Sequence, residues 1–237
     1  MRGLQASIVV PAYNQKSRLE GCINSIAASL RKDYPRFEII LAEDGSTDGS
    51  YEEARRLARK HKFVSVSHAP HKLGRGRALC RAFSKARGKV VAYIDADQAT
   101  ETRHLSELLA AAERTGIATG SRYLSKSDAS RSAKREFFSR SFNLLVRLAL
   151  GSRVRDHQCG FKAFRKDVAA RLCGQARERH WFWDTEVLVL AQRQGLQVAE
   201  IPVVWREQGD TTMRLRNDIL EMFKGIIRLY GRLNFGW

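Results

Sequence analysis

The sequence has few cysteines and no long apolar run, and each shortage argues against a class of protein. The chain of 237 residues contains these four cysteines: Cys22, Cys80, Cys159 and Cys173. They form no CxxC pair and have no histidine at zinc spacing, so we expect reduced or buried thiols rather than a zinc ribbon or a dense disulfide framework. No segment reaches the roughly 18 uninterrupted apolar residues of a spanning helix, since Arg147 interrupts even the stretch 142–150. If the chain meets a membrane, we expect it to lie on the surface.

Acidic residues are also scarce, with 25 Asp and Glu against 42 Lys and Arg and a formal net charge of +17. Such a surplus is solvated or matched to a polyanion, and the candidates are nucleic acid, a phosphorylated small molecule and an anionic membrane surface. We predict no nucleic-acid partner, because the sequence has no recognition-helix motif and no aromatic stacking platform. A nucleic-acid-binding protein is the remote alternative. The apolar stretch 6–13 follows the N-terminus without room for a signal peptide, so we expect a cytosolic chain.

Short apolar runs alternate with helical patterns along roughly the first 120 residues. The runs are rich in β-branched residues and nearly continuous, as in strands that are buried on both faces. They predict an α/β fold with a doubly wound, mostly parallel central sheet flanked by helices. Beyond this part, periodicity predicts the following elements: a helix at 131–150, a strand or hairpin at 157–165, a helix from Trp183, a strand at 197–205 and a final amphipathic helix at 215–233.

Three of the predicted strands end in polar loops, PAYNQ at 11–15, EDGSTDGS at 43–50 and DADQAT at 95–100. In an open α/β sheet, ligands bind outside the carboxyl ends of the strands, so we expect these loops to converge on one crevice. Within the second loop, the residues predicted to cap the following helix are Ser46, Thr47 and Asp48.

Asp95 and Asp97 occupy alternate positions where an extended segment leaves the sheet, so their side chains should point the same way. Two such carboxylates can share a hard divalent cation and leave coordination positions open for phosphate oxygens. The alternative is a helix cap followed by a solvated acid. Their position after a buried strand, beside two other polar loops, favours a metal site that holds Mg²⁺ or Mn²⁺.

Eight motifs follow one another along the chain: VVPAYN, AEDGSTDGS, KLGRGRAL, DADQAT, GSRY, DHQCGFKAFR, WDTEVLVLA and EIPVVW. Their order and spacing resemble family 2 inverting glycosyltransferases, and most closely the dolichyl-phosphate glucose and dolichyl-phosphate mannose synthases. The resemblance implies a GT-A fold, a Rossmann-like sheet that holds a nucleoside-diphosphate sugar. It also implies transfer of a hexose, with inversion, to dolichyl or another polyprenyl phosphate. The loop DADQAT has Ala99 two positions after Asp97, as in the glucose-type synthases that the sequence resembles. This residue favours UDP-glucose over GDP-mannose as the donor.

The resemblance also assigns roles to individual residues. The implied nucleotide-sugar site contains Pro11, Ala12, Tyr13, Asn14, Gln15, Ala42, Asp44, Asp95, Ala96 and Asp97. Gln15 stands where the family commonly has a glutamate. Arg122 and Arg135 match arginines near the sugar and the acceptor phosphate, and Arg206 matches an arginine on a mobile loop. The acceptor loop at 209–212 lacks the lysine of the family.

A phosphate acceptor needs no general base, because it already carries anionic oxygens at neutral pH. It needs positive charge to overcome its repulsion from the donor diphosphate, and a divalent cation with arginines supplies that charge. We therefore assign the catalytic roles to these residues: Asp97, Arg122, Arg135 and Arg206. A sugar hydroxyl acceptor would instead need a base, for which Asp184 is the candidate. Capping of a helix that starts at Thr185 is the other interpretation of Asp184 and the preferred one of Glu186.

The C-terminal stretch combines one broad apolar face with basic residues elsewhere. Such a helix either packs on its own domain or lies at a membrane interface with its cations against lipid phosphate. The basic and apolar helix at 134–150 is a candidate for the other side of the lipid entry. We expect a GT-A domain at 1–210 and an amphipathic, membrane-interface segment at 211–237. We expect a peripheral protein on the cytoplasmic face of the membrane.

Overall fold

Strands and helices alternate along the chain in a computed structural model, which describes residues 3–207 and 215–235. The strands are β1 Ala6–Ala12, β2 Phe37–Asp44, β3 Val64–Ala69, β4 Val90–Ile94, β5 Ile117–Ser121, β6 Asp128–Ser130, β7 Phe161–Arg165, β8 Val198–Pro202 and β9 Val204–Arg206. The helices are α1 Leu19–Leu30, α2 Ser50–Lys60, α3 Arg75–Lys85, α4 Leu105–Thr115, α5 Ala133–Leu150, α6 Lys166–Gln175, α7 Trp183–Arg193 and α8 Leu215–Phe235.

Seven of these strands form one sheet in the order β3-β2-β1-β4-β7-β5-β8, and β6 pairs with β9 in a separate ribbon. Within the described sheet, β7 runs antiparallel to β4 and β5, and the other neighbours are parallel. The predicted α/β fold with a mostly parallel central sheet is confirmed. Because β1, β2 and β4 are parallel, the loops that follow them leave the sheet at the same edge.

Alternate residues of the central strands enter two different cores, which explains their continuous apolar sequence. Ile8 and Val10 face the cluster that contains α1 and α4, whereas Val9 faces the cluster that contains α3 and α7. All three side chains are fully buried. Burial of each such side chain contributes roughly 1.5–3 kcal/mol, so neither face of β1 tolerates a polar residue without loss.

Helix α8 packs against α5 and the start of α7. Met222, Ile226 and Leu229 form a buried cluster with residues of α5. A Cβ atom at Gly225 would overlap the ring of Phe182, so glycine allows the backbone of α8 to approach this ring closely. The helix predicted at 215–233 therefore exists, and part of its apolar face is buried.

The prediction of reduced thiols is wrong for two of the four cysteines. Cys80 on α3 and Cys173 on α6 form a disulfide with Cα atoms 5.5 Å apart, a separation that suits a disulfide. Cys22 and Cys159 are buried free thiols, as predicted. The bridged residues are 93 positions apart, and α6 was not predicted from the sequence, so their spacing could not reveal the pair.

A buried ion pair joins the end of β5 to the segment before β7. Arg122 donates to both carboxylate oxygens of Asp156 over 2.7 and 2.8 Å, and both side chains are at least nine-tenths buried. Burial alone would raise the pKa of Asp156, but the charge and hydrogen bonds of Arg122 outweigh it and lower this pKa from 3.8 to about 2. The folded state therefore favours the ionised carboxylate.

We predict that Asp156→Asn lowers the free energy of unfolding by about 3–5 kcal/mol, because it leaves the buried Arg122 without its counter-charge. In the unaltered chain, the contribution of Asp156 is complete above its unfolded pKa and is lost as the pH falls from about 4 to 2, roughly 2 kcal/mol in all. Urea unfolding across this pH range measures both effects. Asp167→Asn is the matched control, since Asp167 pairs with Arg165 at an exposed site. Equal stability changes in the two variants would contradict the prediction.

Candidate active site

The three polar loops at the carboxyl edge of the sheet meet on the segment 72–75, which ends at the first residue of α3. Lys72 Nζ lies 3.7 Å from the centre of the Tyr13 ring in the first loop. Asp44, at the end of β2, accepts hydrogen bonds from the backbone N–H groups of Leu73 (2.8 Å) and Gly74 (3.0 Å). Arg75 forms an ion pair with Asp95 in the third loop. The expected convergence of the loops is therefore present.

The first two loops are also bonded directly to each other. The backbone N–H of Asn14 donates to Ser46 Oγ (3.0 Å), and Asn14 Oδ1 accepts the N–H of Thr47 (2.9 Å). The N–H of Gln15 donates to Ser50 Oγ (2.8 Å). Asn14 has a φ of +55°, a left-handed conformation that asparagine tolerates better than most residues. The loops thus form one rigid rim beside Tyr13.

These bonds correct the predicted capping roles in the second loop. The N-cap of α2 is Gly49, which has no side chain to cap with. Ser46 and Thr47 bond to the first loop instead. Asp48 contacts the helix start, accepting the N–H of Ser50 (2.9 Å), and also accepts the N–H of Lys16 (3.1 Å). Loop-to-loop tethering therefore replaces the predicted capping at Ser46 and Thr47, whereas Asp48 bonds both to the first loop and to the start of α2.

The remaining residues predicted to bind the nucleotide lie along the ends of β1 and β2. Pro11 and Ala42 are register partners in these neighbouring strands, and Ala12 and Ala42 are buried. Asp44 is 4% exposed, and both of its oxygens already hold the segment 72–75. Its carboxylate therefore holds the backbone of this segment in place.

Asp95 and Asp97 follow β4, as predicted. Burial, the largest cause, raises the pKa of Asp95 from 3.8 to about 6, Arg75 opposes this rise, and the negative charge of Asp97 adds to it. Asp97 Oδ1 accepts the N–H of Ala99 (3.0 Å), and Ala96 between the two acids is buried. The two carboxylates are therefore close enough for their charges to interact.

The donor set of this loop fits a hard divalent cation. Within residues 3–207 and 215–235, no three histidine, cysteine or acidic side chains gather as a closed metal cage. Two carboxylates without nitrogen or sulfur ligands suit Mg²⁺ or Mn²⁺, whose other positions are commonly filled by water and by a phosphate ligand. A cation between these acids would also relieve the repulsion that raises the pKa of Asp95.

Asp184 is enclosed by the protein and does not cap α7. The helix begins at Trp183, with Phe182 as its N-cap. Asp184 is 3% exposed, accepts a hydrogen bond from the Tyr93 hydroxyl, and lies 3.1 Å from Lys162 Nζ. Capping is therefore the wrong interpretation of Asp184.

Glu186 has a structural role, as preferred from the sequence, but it stabilises a different segment from the one predicted. It accepts hydrogen bonds of 2.9–3.1 Å from the backbone N–H groups of Arg177 and Glu178, two residues that lie before α7. Its Oε1 also lies 2.8 Å from Arg232 on α8. This acid joins two parts of the chain.

Sequence reasoning missed the importance of Arg75. It is the first residue of α3, its side chain is 13% exposed, and it contacts Asp95 and lies 3.5 Å from Asp184. In the motif KLGRGRAL, a turn at Gly74 directly precedes this arginine. An arginine at the start of a helix, directly after that turn, was the available signal.

The three arginines predicted to act in catalysis each have an acidic partner. Arg122 pairs with Asp156, Arg135 with Glu207, and Arg206 with Asp128. Arg122 is 9% exposed, whereas Arg135 and Arg206 are 33% and 45% exposed. Arg122 is therefore enclosed by the protein, whereas Arg135 and Arg206 are accessible to a ligand. The acceptor loop at 209–212 lies outside the described residues.

Comparison with known proteins gives the same family as the motifs. Glycosyl transferase family 2 matches residues 7–173. Glycosyltransferase AglD of Haloferax volcanii is 45% identical over 236 residues, covering 98% of this chain and 38% of the relative. A dolichyl-phosphate beta-glucosyltransferase of Trichomonas vaginalis is 33% identical over 222 residues, covering 88% of this chain and 66% of the relative. The chain thus spans less than two thirds of the length of both relatives.

Solved structures show the same fold. Glucosyl-3-phosphoglycerate synthase from Mycobacterium tuberculosis, in complex with Mn²⁺, UDP-glucose and glycerol 3-phosphate, superposes with a TM-score of 0.73 at 20% identity. The match covers 96% of this chain and 80% of that one. The resemblance inferred from the eight motifs is confirmed, and the chain belongs to glycosyl transferase family 2.

Proposed function

We propose that this chain transfers a hexose, with inversion, from a nucleoside-diphosphate sugar to dolichyl or another polyprenyl phosphate. The enclosure of Asp184 is the observation that carries the choice of a phosphate acceptor. This acid is the candidate base for a sugar hydroxyl, yet it is 3% exposed and already bonded to Tyr93 and Lys162. A base must reach the proton that it removes, so this arrangement favours an acceptor that needs no base.

The donor side of the proposal relies on the converging loops. Pro11–Ala12, the loop residues Tyr13 to Gln15, Ala42 and Asp44 would line the base and ribose, and the loop 95–97 would face the diphosphate. UDP-glucose is the preferred donor over GDP-mannose, because relatives are named dolichyl-phosphate beta-glucosyltransferases and the solved neighbour contains UDP-glucose.

Asp95 and Asp97 would hold the divalent cation, Mg²⁺ or Mn²⁺. When bound, the cation supplies positive charge that stabilises the leaving diphosphate. The solved neighbour contains Mn²⁺, which supports a divalent ion without deciding between the two. Arg135 and Arg206 are exposed enough to exchange their acidic partners for the acceptor phosphate, which their planar guanidinium groups can bind through two hydrogen bonds. Arg122, which is buried in its ion pair with Asp156, would act as a structural support for the acceptor site.

The decisive assay mixes radiolabelled UDP-glucose or GDP-mannose with dolichyl phosphate and Mn²⁺, and measures label in the organic phase. We expect lipid-linked label, and a loss of about 100-fold or more in kcat/KM for Asp97→Asn. Asp184→Asn should cost about tenfold, since a general base is worth about 100-fold to 10,000-fold and none is needed here. Label transferred only to a sugar hydroxyl, with a loss in that larger range for Asp184→Asn, would contradict the phosphate acceptor.

A lipid acceptor requires contact with a membrane surface, and the exposed faces of α5 and α8 are our candidate for this contact. None of the helices in the described ranges combines the length and hydropathy of a membrane span. Large apolar side chains are nevertheless exposed on both helices, namely Phe137, Phe138, Leu144, Leu145, Leu148, Leu220, Phe223, Ile227, Tyr230 and Phe235. Exposed cations accompany them, namely Lys134, Arg140, Arg147, Lys224 and Arg228. We propose that the segment 211–237, together with α5, binds the cytoplasmic face of the membrane peripherally while the GT-A domain at 1–210 carries the chemistry.

We predict that Leu148→Glu weakens binding to phosphatidylcholine vesicles that contain phosphatidylserine by about tenfold or more. Leu148 is 74% exposed, and burial of a leucine in lipid is worth about 1.5–3 kcal/mol. Co-sedimentation with the vesicles measures the change. Ser84→Glu, on α3, introduces the same charge at an exposed site away from these helices. The membrane proposal fails if both variants sediment like the unaltered chain.

A further inference from the structure

Arg75 lies where three elements of the candidate site meet, and the proposed reaction assigns it no role. It begins α3, it contacts Asp95 after β4, and it lies 3.5 Å from Asp184 on α7. We propose that Arg75 is a positioning residue of the cation site. It holds Asp95 in the orientation in which this carboxylate and Asp97 can share a divalent cation, and it does not itself contact the substrate. The inference rests on the function proposed above.

Asp95 needs such a partner because of where it lies. Its carboxylate is partly buried, with 33% of the side chain exposed, beside the negative charge of Asp97, and two like charges at close range repel each other. On one side it is confined by Gly160, where any Cβ atom would overlap its carboxylate. The backbone N–H of Asp95 donates to the carbonyl of the same glycine (3.3 Å). On another side lies the guanidinium group of Arg75. The glycine limits where the carboxylate can lie, and the arginine supplies the attraction that keeps it there.

Arg75 can position Asp95 because it is itself held in place. Its Cζ lies 5.2 Å from the centre of the Tyr93 ring and 5.1 Å from that of Trp181, within the range of cation–π attraction. A second carboxylate, that of Asp184, lies 3.5 Å from its Nε, which is an ion-pair distance rather than a hydrogen bond. Asp184 is fixed in turn by the buried Lys162. A continuous series of contacts therefore runs from Lys162 through Asp184 and Arg75 to Asp95.

The planar fork of arginine suits this position better than lysine does. One guanidinium group reaches Asp95 through Nη1 and approaches Asp184 through Nε, so it links two carboxylates on different elements. An ammonium group is a single point of charge and would favour one carboxylate over the other. Charge alone is thus insufficient, and the two-sided geometry is the property that the proposal requires.

The test compares Mn²⁺ affinity in the presence of UDP, measured from the electron paramagnetic resonance signal of free Mn²⁺. We expect Arg75→Gln to weaken Mn²⁺ affinity by about 10-fold to 100-fold, as is typical when a partner of a metal ligand is lost. Arg75→Lys should restore part of this affinity. Arg77→Gln is the matched control, because Arg77 lies two residues further along the chain, is exposed, and loses the same charge. Its affinity should equal that of the unaltered chain.

Kinetics separate positioning from direct contact with the donor. We expect the KM for Mn²⁺ to rise in Arg75→Gln, with most of kcat recovered when Mn²⁺ saturates the enzyme. A thermal melt identifies any variant that does not fold, and in that case Arg75→Lys carries the test. Unchanged Mn²⁺ affinity in a folded Arg75 variant, or a kcat that excess Mn²⁺ does not restore, would overturn the proposal.

The same measurement distinguishes this inference from the function on which it rests. Absence of Mn²⁺ binding by the unaltered chain with UDP would contradict the proposed cation site. Binding that is lost in Asp97→Asn but retained in Arg75→Gln would support the cation site and reject the role of Arg75.

Discussion

The two backbone hydrogen bonds that Asp44 accepts from Leu73 and Gly74 are the constraint on which the candidate site depends. They fix the segment 72–75, and this segment contacts both neighbouring loops. Gly74 has a φ of +98°, and a Cβ atom there would lie 2.6 Å from the carbonyl oxygen of Arg179. Only a residue without a side chain can occupy that position. The three polar loops and the turn before α7 are therefore assembled around one short piece of backbone.

The basic residues of the chain are not confined to its surface. Buried or half-buried acids receive arginine partners inside the fold, as the pairs Arg122–Asp156 and Arg232–Glu186 illustrate. Breaking such a pair leaves an uncompensated buried charge, which costs more than the pair contributes. Each such pair adds nothing to the net charge, so the surplus of +17 belongs to other basic residues, which are available to polyanions or to a lipid surface.

The sequence predicted the elements well where periodicity is strong, as in α5, which was expected at 131–150 and spans Ala133–Leu150. It located the polar loops because the carboxyl ends of parallel strands share one edge. It did not reveal that β7 runs antiparallel, since a short apolar strand carries no signal of direction. Helix α6 was missed, and with it the disulfide. The partners of Arg75 and Arg122 were not foreseeable either, because ion pairs between distant residues depend on the completed fold.

The contact between Gly225 and Phe182 joins the outermost helix to the interior of the molecule. Phe182 directly precedes Trp183 and Asp184, so the backbone of α8 rests on the turn that carries the enclosed acid. The position of α8 and the position of this turn are therefore set by one shared contact, and a residue larger than glycine at position 225 would force the ring or the helix to shift.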